Sequence, residues 1–179
     1  VAIQEEGPNN AQVVETGDID TAALARALQI FDIALPRDMA VAVQDHGYSP
    51  DRSNRVVRFE HLAAAIRSGG RLEAFAYREP QPAMTRMLAV RGALAKAGIN
   101  PLLMDTGPAA IFGAALDLPD DRPALIINFG NGHTVAALLA EDRIAGIFEH
   151  HTAELSPEKL REFAEKLCNG TLKSSEVFE

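Results

Sequence analysis

Apolar residues recur at helical spacing in three stretches, Leu24/Ala27/Leu28/Phe31, Phe59/Leu62/Ala63/Ile66 and Leu160/Phe163/Ala164/Leu167. Each matches the i, i+3, i+4, i+7 pattern of one helix face, which predicts three amphipathic helices packed on one core. The residues at their ends fit: Asp20 as an N-cap, Gly69-Gly70 as a stop, Ser156-Pro157 as cap and first turn, Gly170 as a terminator. A fourth helix is predicted from about Ala83 to Ala97, with Met84, Met87 and Leu88 as core packing.

Five short apolar runs bounded by polar or turn residues read as strands: Met39 to Val43, Leu102 to Met104, Ala124 to Phe129, Val135 to Ala140 and Ile144 to Phe148. Helices alternate with strands up to Leu116, and three strands then follow in succession. Gly130-Asn131-Gly132 and Glu141-Asp142 supply the tight turns between them. The first part therefore reads as crossover units and the second as an antiparallel meander, together an α/β chain. Leu125 to Ala140 is expected to be a β-hairpin.

Composition narrows the class. A chain of 179 residues that is 47% hydrophobic and 23% charged can bury a good core, and it is neither disordered nor collagen-like. No run reaches the roughly 18 consecutive apolar residues of a membrane span; Thr106 to Leu116 is uncharged but falls well short. Glu5 and Glu6 stand where a secretory leader would carry Lys or Arg. The single Cys168 cannot form an internal disulfide, which fits a reducing cytoplasm, and it excludes an iron–sulfur cluster held by several cysteines of this chain. Cys168 is expected to be a buried or half-buried small apolar residue. The net charge is −8 with scattered Lys and Arg, which argues against nucleic acid or an anionic membrane as partner. No feature specifies an oligomeric state.

The chemistry gathers at Gly130-Asn131-Gly132-His133-Thr134. Phosphate groups are bound by backbone N–H groups that converge on a concavity, and glycine permits the φ values and close approach this needs. Thr134 adds a hydroxyl. Asn-Gly is also the commonest signal for an ordinary hairpin turn, so the motif alone serves both readings.

The order of neighbouring pieces extends the picture. Met39-Ala-Val-Ala-Val43, Met84 to Ala97, Leu102-Leu-Met-Asp105 and Thr106-Gly-Pro-Ala-Ala-Ile-Phe-Gly-Ala-Ala-Leu-Asp117 resemble the connecting region of the heat-shock chaperone ATPases. Leu125-Ile-Ile-Asn-Phe-Gly-Asn-Gly-His-Thr134 then stands where that fold keeps its second phosphate loop. A closer resemblance is to a family in the actin-like superfamily labelled pyruvate formate-lyase activating proteins. It is carried by Gln44-Asp-His-Gly47, Phe59-Glu-His61, Leu102-Leu-Met-Asp-Thr-Gly-Pro-Ala-Ala110, Asn128-Phe-Gly-Asn-Gly-His-Thr134 and Phe148-Glu-His-His-Thr152.

The resemblance implies a partial actin-like (ribonuclease H-like) fold, a mixed sheet with flanking helices. Residues 1–118 would resemble the end of the first subdomain and 119–179 the start of the second, or the two would form one compact unit. It implies a small phosphate-bearing ligand, ATP with Mg, contacted by Asn128, Gly130, Asn131, Gly132, His133 and Thr134, with Thr106 and Gly107 nearby. The label implies radical chemistry on an iron–sulfur cluster, which one cysteine cannot hold. The actin-like loop usually opens with an Asp that orients magnesium-bound water, and Asn128 stands there instead. Binding without hydrolysis is the expectation. Neither an earlier phosphate loop nor a later adenosine loop occurs between Val1 and Glu179, so the chain resembles the middle of a longer protein, or a domain that kept the scaffold and lost part of the site.

Four of the five histidines lie at edges of predicted strands: His46, His133, His150 and His151. With Asp45, Asp105 and Glu149 they could form a divalent-metal or acid–base site, with His46, His150 and His151 as metal ligands and Asp45, Asp105, His133 and Glu149 as catalytic groups. In the other reading adjacent histidines point to opposite faces and only hydrogen bond. Arg52, Arg55 and Arg58 could grip an anion, or decorate a solvated loop. Three functions follow: a nucleotide-binding domain, a metal-assisted hydrolase or phosphatase, and a non-catalytic scaffold. The first two expect Asp105, Asn128, Thr134 and at least two of the four histidines to face one cleft.

Overall fold

The computed structural model describes residues 17–119 and 122–178; Glu5 and Glu6 lie outside the described residues. The chain runs α1 (Thr21–Gln29), β1 (Asp38–Ala42), α2 (Asn54–Arg67), α3 (Leu72–Phe75), β2 (Ala76–Tyr77), α4 (Thr85–Lys96), β3 (Asn100–Met104) and α5 (Thr106–Ala115). It continues through β4 (Ala124–Phe129), β5 (His133–Ala140), β6 (Arg143–His151), a 3₁₀ turn (Thr152–Glu154), α6 (Pro157–Cys168) and α7 (Ser174–Phe178).

Caps fix the helix starts as the sequence indicates. Asp20 accepts from Ala23 N at 2.9 Å and Ser156 Oγ from Lys159 N at 3.2 Å. Gly69, Gly70 and Gly170 all take positive φ beyond their helices.

The strands form two three-stranded sheets rather than one mixed sheet. In the first, β3 is central: β1 runs parallel to it, from Asp38↔Asn100 to Ala42↔Met104, and β2 antiparallel. The segment containing α2, α3 and α4 is the crossover that a parallel pair requires. In the second, β4, β5 and β6 form the expected meander, paired from Phe129↔Thr134 and His133↔His151 outward.

The apolar interior comprises three clusters rather than one core. Met84, Met87, Leu94 and Leu103 pack α4 on the first sheet. Leu62, Phe75 and Ile111 meet Ala137, Leu139 and Ile144 on one face of the second. Ala136, Phe148, Phe163, Leu167 and Val177 cover its other face. Because β5 is covered on both sides, its sequence is nearly continuous in apolar residues rather than alternating.

One helix stripe is corrected and another extended. α1 buries no residue, and Phe31 lies beyond it, 73% exposed; Ile19 and Leu35, flanking the helix, take the inward positions instead. The predicted stripe of α2 reaches the core, with Leu62 buried and Phe59 and Ile66 packed against it, and Val57, Arg58 and Ala65 are buried beside it. Cys168 is exposed, one step round the helix from the inward stripe of Phe163 and Leu167.

Gly70 joins the end of α2 to the second sheet. Its N–H donates to the Ala65 carbonyl, its carbonyl accepts from Ile144 N at 2.8 Å, φ is +70°, and a Cβ there would overlap the Ile144 carbonyl oxygen. Gly70→Ala is expected to destabilise the chain by about 1–3 kcal/mol, read as a lower urea midpoint. An unchanged midpoint would contradict this close approach.

Candidate functional site

The Gly-rich turn is held from one side by Thr152. Its hydroxyl donates to the Gly130 carbonyl at 2.7 Å and its N–H to the Gly132 carbonyl at 3.0 Å. With that hydroxyl proton committed, the 3.0 Å contact between Thr134 Oγ1 and Thr152 Oγ1 has Thr134 as donor. Described peptides are all trans, which sets each N–H opposite the preceding C=O. The N–H groups of Asn131 and His133 therefore point away from Thr152. Gly130 is needed for closeness rather than positive φ, since a Cβ there would lie 2.7 Å from the His133 carbonyl oxygen.

The facing wall comes from the first sheet. β1 runs into a loop carrying Gln44, Asp45 and His46, and β3 runs into α5. Asp45 is buried and accepts from Gly47 N at 2.8 Å and Met87 N at 2.9 Å, so it caps the first turn of α4, which has no cap of its own. Asp105 is the N-cap of α5, accepting from Gly107 N at 2.8 Å, while its carbonyl accepts from Ala109 N. Pro108 has no N–H, so the α5 start presents the Thr106 N–H and hydroxyl.

Arg58 ties the two walls together. Its Nε and Nη2 donate to Asp105 Oδ2 and Oδ1 at 3.0 and 2.6 Å, and Nη1 pairs with Glu149 Oε2. Arg58, Asp105 and Glu149 are 5%, 6% and 2% exposed. Burial opposes the Arg58 charge, but the two carboxylates outweigh it and hold its pKa above the ordinary value. Arg58 is thus no part of a solvated loop, and sequence reasoning missed its role. The available signal was an arginine at helical spacing with Leu62 and Ala65 on one stripe.

Between the walls lies a cleft of about 580 Å³, lined by Gln44, His46, Arg58, Thr106, Gly107, Asn128, Gly130, Asn131, Gly132, His133, Val135 and Glu149. That volume is in the range of small-molecule sites. Most sequence candidates converge here, with five exceptions among the residues expected to share it: Thr134, His150, His151, Asp45 and Asp105. Thr134 is fully buried, because strand alternation turns it away from His133, so its hydroxyl supports the turn instead of meeting a ligand. His150 is buried, with Nδ1 donating to the His151 carbonyl at 3.0 Å and its ring 5.8 Å from Phe163. Asp45 and Asp105 do not line the cleft, and their oxygens are committed as described.

The other histidines form a row. His46 stands 5.7 Å from His133 across the cleft, ring centroid to centroid, and His133 stands 4.6 Å from its cross-strand neighbour His151. Gln44 Nε2 donates to His46 Nε2 at 3.1 Å. Among the described residues, no group of three or more His, Cys, Asp or Glu is arranged to hold a metal ion.

A family model matches residues 1–179. The chain belongs to DUF1786. That family bears the description "Putative pyruvate format-lyase activating enzyme". No curated protein matches the chain. The donor set of this chain does not fit a cysteine-held iron–sulfur cluster, since its one cysteine is exposed at the end of α6. No described helix is long and apolar enough to cross a membrane.

Proposed function

We propose that the cleft binds a phosphate-bearing ligand of the nucleotide class, with the Gly130–His133 turn as its phosphate cradle. The observation that carries this reading is the orientation of the turn. Thr152 holds the carbonyls of Gly130 and Gly132, leaving the N–H groups of Asn131 and His133 for an anion, and Thr106 stands on the facing wall of the same cleft. Convergent N–H donors serve anions whose charge is spread over several oxygens.

The same reading takes the chain as part of an actin-like (ribonuclease H-like) fold, with units 1–118 and 119–179 meeting at the cleft. The order strand, crossover, strand, Pro-Ala-Ala helix, Gly-rich hairpin supports that assignment. ATP would bring magnesium on its own phosphates. The chain's residues bind and orient, and hydrolysis is no part of the assignment.

Thermal unfolding with ADP and with Mg-ATP tests it. Ligand at about 100 times its Kd is expected to add about 2.7 kcal/mol of stability. Position 132 has open space and no positive φ, so Gly132→Val should fold yet lose the shift by obstructing the cradle. Absence of any shift in the unaltered chain would overturn the reading, and an undiminished shift in the variant would move the ligand elsewhere.

A further inference from the structure

An anion needs compensating charge, and the cleft is short of it. Among the described residues that line it, Arg58 is the one guanidinium, and it already serves two carboxylates, Asp105 and Glu149. The trio sums to one negative charge at the base of the cleft. Arg86, in the first turn of α4, pairs with Asp18. Arg55 of α2 acts on His133 from nearby while donating to the Glu149 carbonyl, and the other titratable groups that meet the cradle are imidazoles.

We propose that anion binding in this cleft is coupled to proton uptake by His133, the middle ring of the row His46, His133 and His151, so that a phosphate ligand is held more tightly when that ring carries charge. The proposal rests on the phosphate reading above and adds its regulation by pH. The middle ring stands 5.7 Å from His46 and 4.6 Å from His151, and both neighbours disfavour its charged form. A phosphate at the Asn131 and His133 amides would stand beside the middle ring and favour its charged form.

The groups facing His133 come from every wall. Glu149 and His151 lie on β6, His46 on the loop after β1, Arg55 and Arg58 on α2, and Asp105 sits behind Arg58 at the start of α5. Burial holds the His133 imidazole below the ordinary histidine range; Glu149 opposes that shift, and His151, His46 and Arg55 add to it. Without an anion beside it, His133 therefore favours its neutral form. Uptake of a proton on binding makes affinity greatest at low pH and lost as pH rises through the bound-state pKa, by about tenfold per pH unit for each proton taken up.

Proton NMR of the histidine ring resonances, titrated across about pH 5 to 8.5 with and without saturating ADP, tests this on the full chain. The expected result is that ADP perturbs the amide resonances of Gly130, Asn131 and Gly132 and raises the His133 midpoint by about one pH unit. Perturbed amides with an unmoved midpoint would overturn the coupling while leaving the phosphate reading intact. Unperturbed amides at every pH would overturn the phosphate reading and the coupling with it. His133→Asn keeps a polar group that cannot charge, and comparing it with the unaltered chain cancels ADP's own titration. The affinity ratio of the two should be several-fold larger near pH 5 than near pH 8, approaching the roughly tenfold that a one-unit rise sets as its limit, and a constant ratio would overturn the proposal.

Discussion

Replacing Arg58 by Met is expected to destabilise the chain by about 3–5 kcal/mol, a large part of what holds an ordinary domain folded. Burying a charge is costly, so the ion trio is not in itself a source of net stability. Removing only its cation is worse, because Asp105 and Glu149, 6% and 2% exposed, would be left as buried negative charges without their counterion. Met has a similar length and leaves little cavity, which isolates the electrostatic part. The triple variant Arg58→Met with Asp105→Asn and Glu149→Gln removes all three charges and is expected to recover most of the loss. The asparagine that replaces Asp105 in that variant can still cap α5 through its side-chain oxygen. Urea unfolding followed by circular dichroism reads both effects. If Arg58→Met unfolds at the unaltered midpoint, the trio is not formed in solution and the two walls of the cleft are joined by packing alone.

That same residue marks the limit of what the sequence discloses. The hairpin from Ala124 to Ala140 is legible because its information is local: two apolar runs and an Asn-Gly pair. The caps Asp20 and Ser156 are legible for the same reason. A buried arginine is acceptable only through its partners, and these lie 47 and 91 residues away along the chain. No periodicity on α2 can reveal them, so hydrophobicity alone completes the stripe with Phe59 and Ile66 rather than Arg58.

The site residues divide along the same line. Thr134 belongs to the motif by residue type, yet the period of two along β5 assigns it to the face opposite His133. The two readings of His150 and His151 are resolved likewise, since one ring enters the core beside Phe163 and the other lies on the opposite face against His133. Asp45 illustrates a different difficulty. Its carboxylate caps α4 from 42 residues away, which resembles a catalytic acid in sequence and a structural clamp in space. α3 and β2, of four and two residues, are too short to show any period.

Given magnesium and ATP, the purified chain is expected to release phosphate no faster than a protein-free control. Phosphoryl transfer depends on donors and metal-orienting carboxylates placed around the phosphates, and losing a single such stabilising group typically costs about 10²–10³-fold in kcat. Here Asn128 occupies the leading position of the loop, where it offers no negative charge. Asp45 and Asp105 spend their oxygens on backbone amides and Arg58, and Glu149, the carboxylate that lines the cleft, pairs with Arg58. An arginine positioned against the transferring group is worth a further 10³–10⁵-fold, about the largest single contribution such sites receive, and the cleft's own guanidinium is already held by two anions. On the phosphate reading proposed above, the chain grips phosphate oxygens on one side without stabilising the charge that develops as the bond breaks. Asn131→Pro, which removes one N–H of the cradle and fixes φ, serves as the control. It should abolish ADP-induced stabilisation and leave phosphate release at background. Robust turnover in the unaltered chain that disappears in Asn131→Pro would show that these residues already compose a working ATPase, and that a carboxylate other than Asp45, Asp105 and Glu149 orients the water.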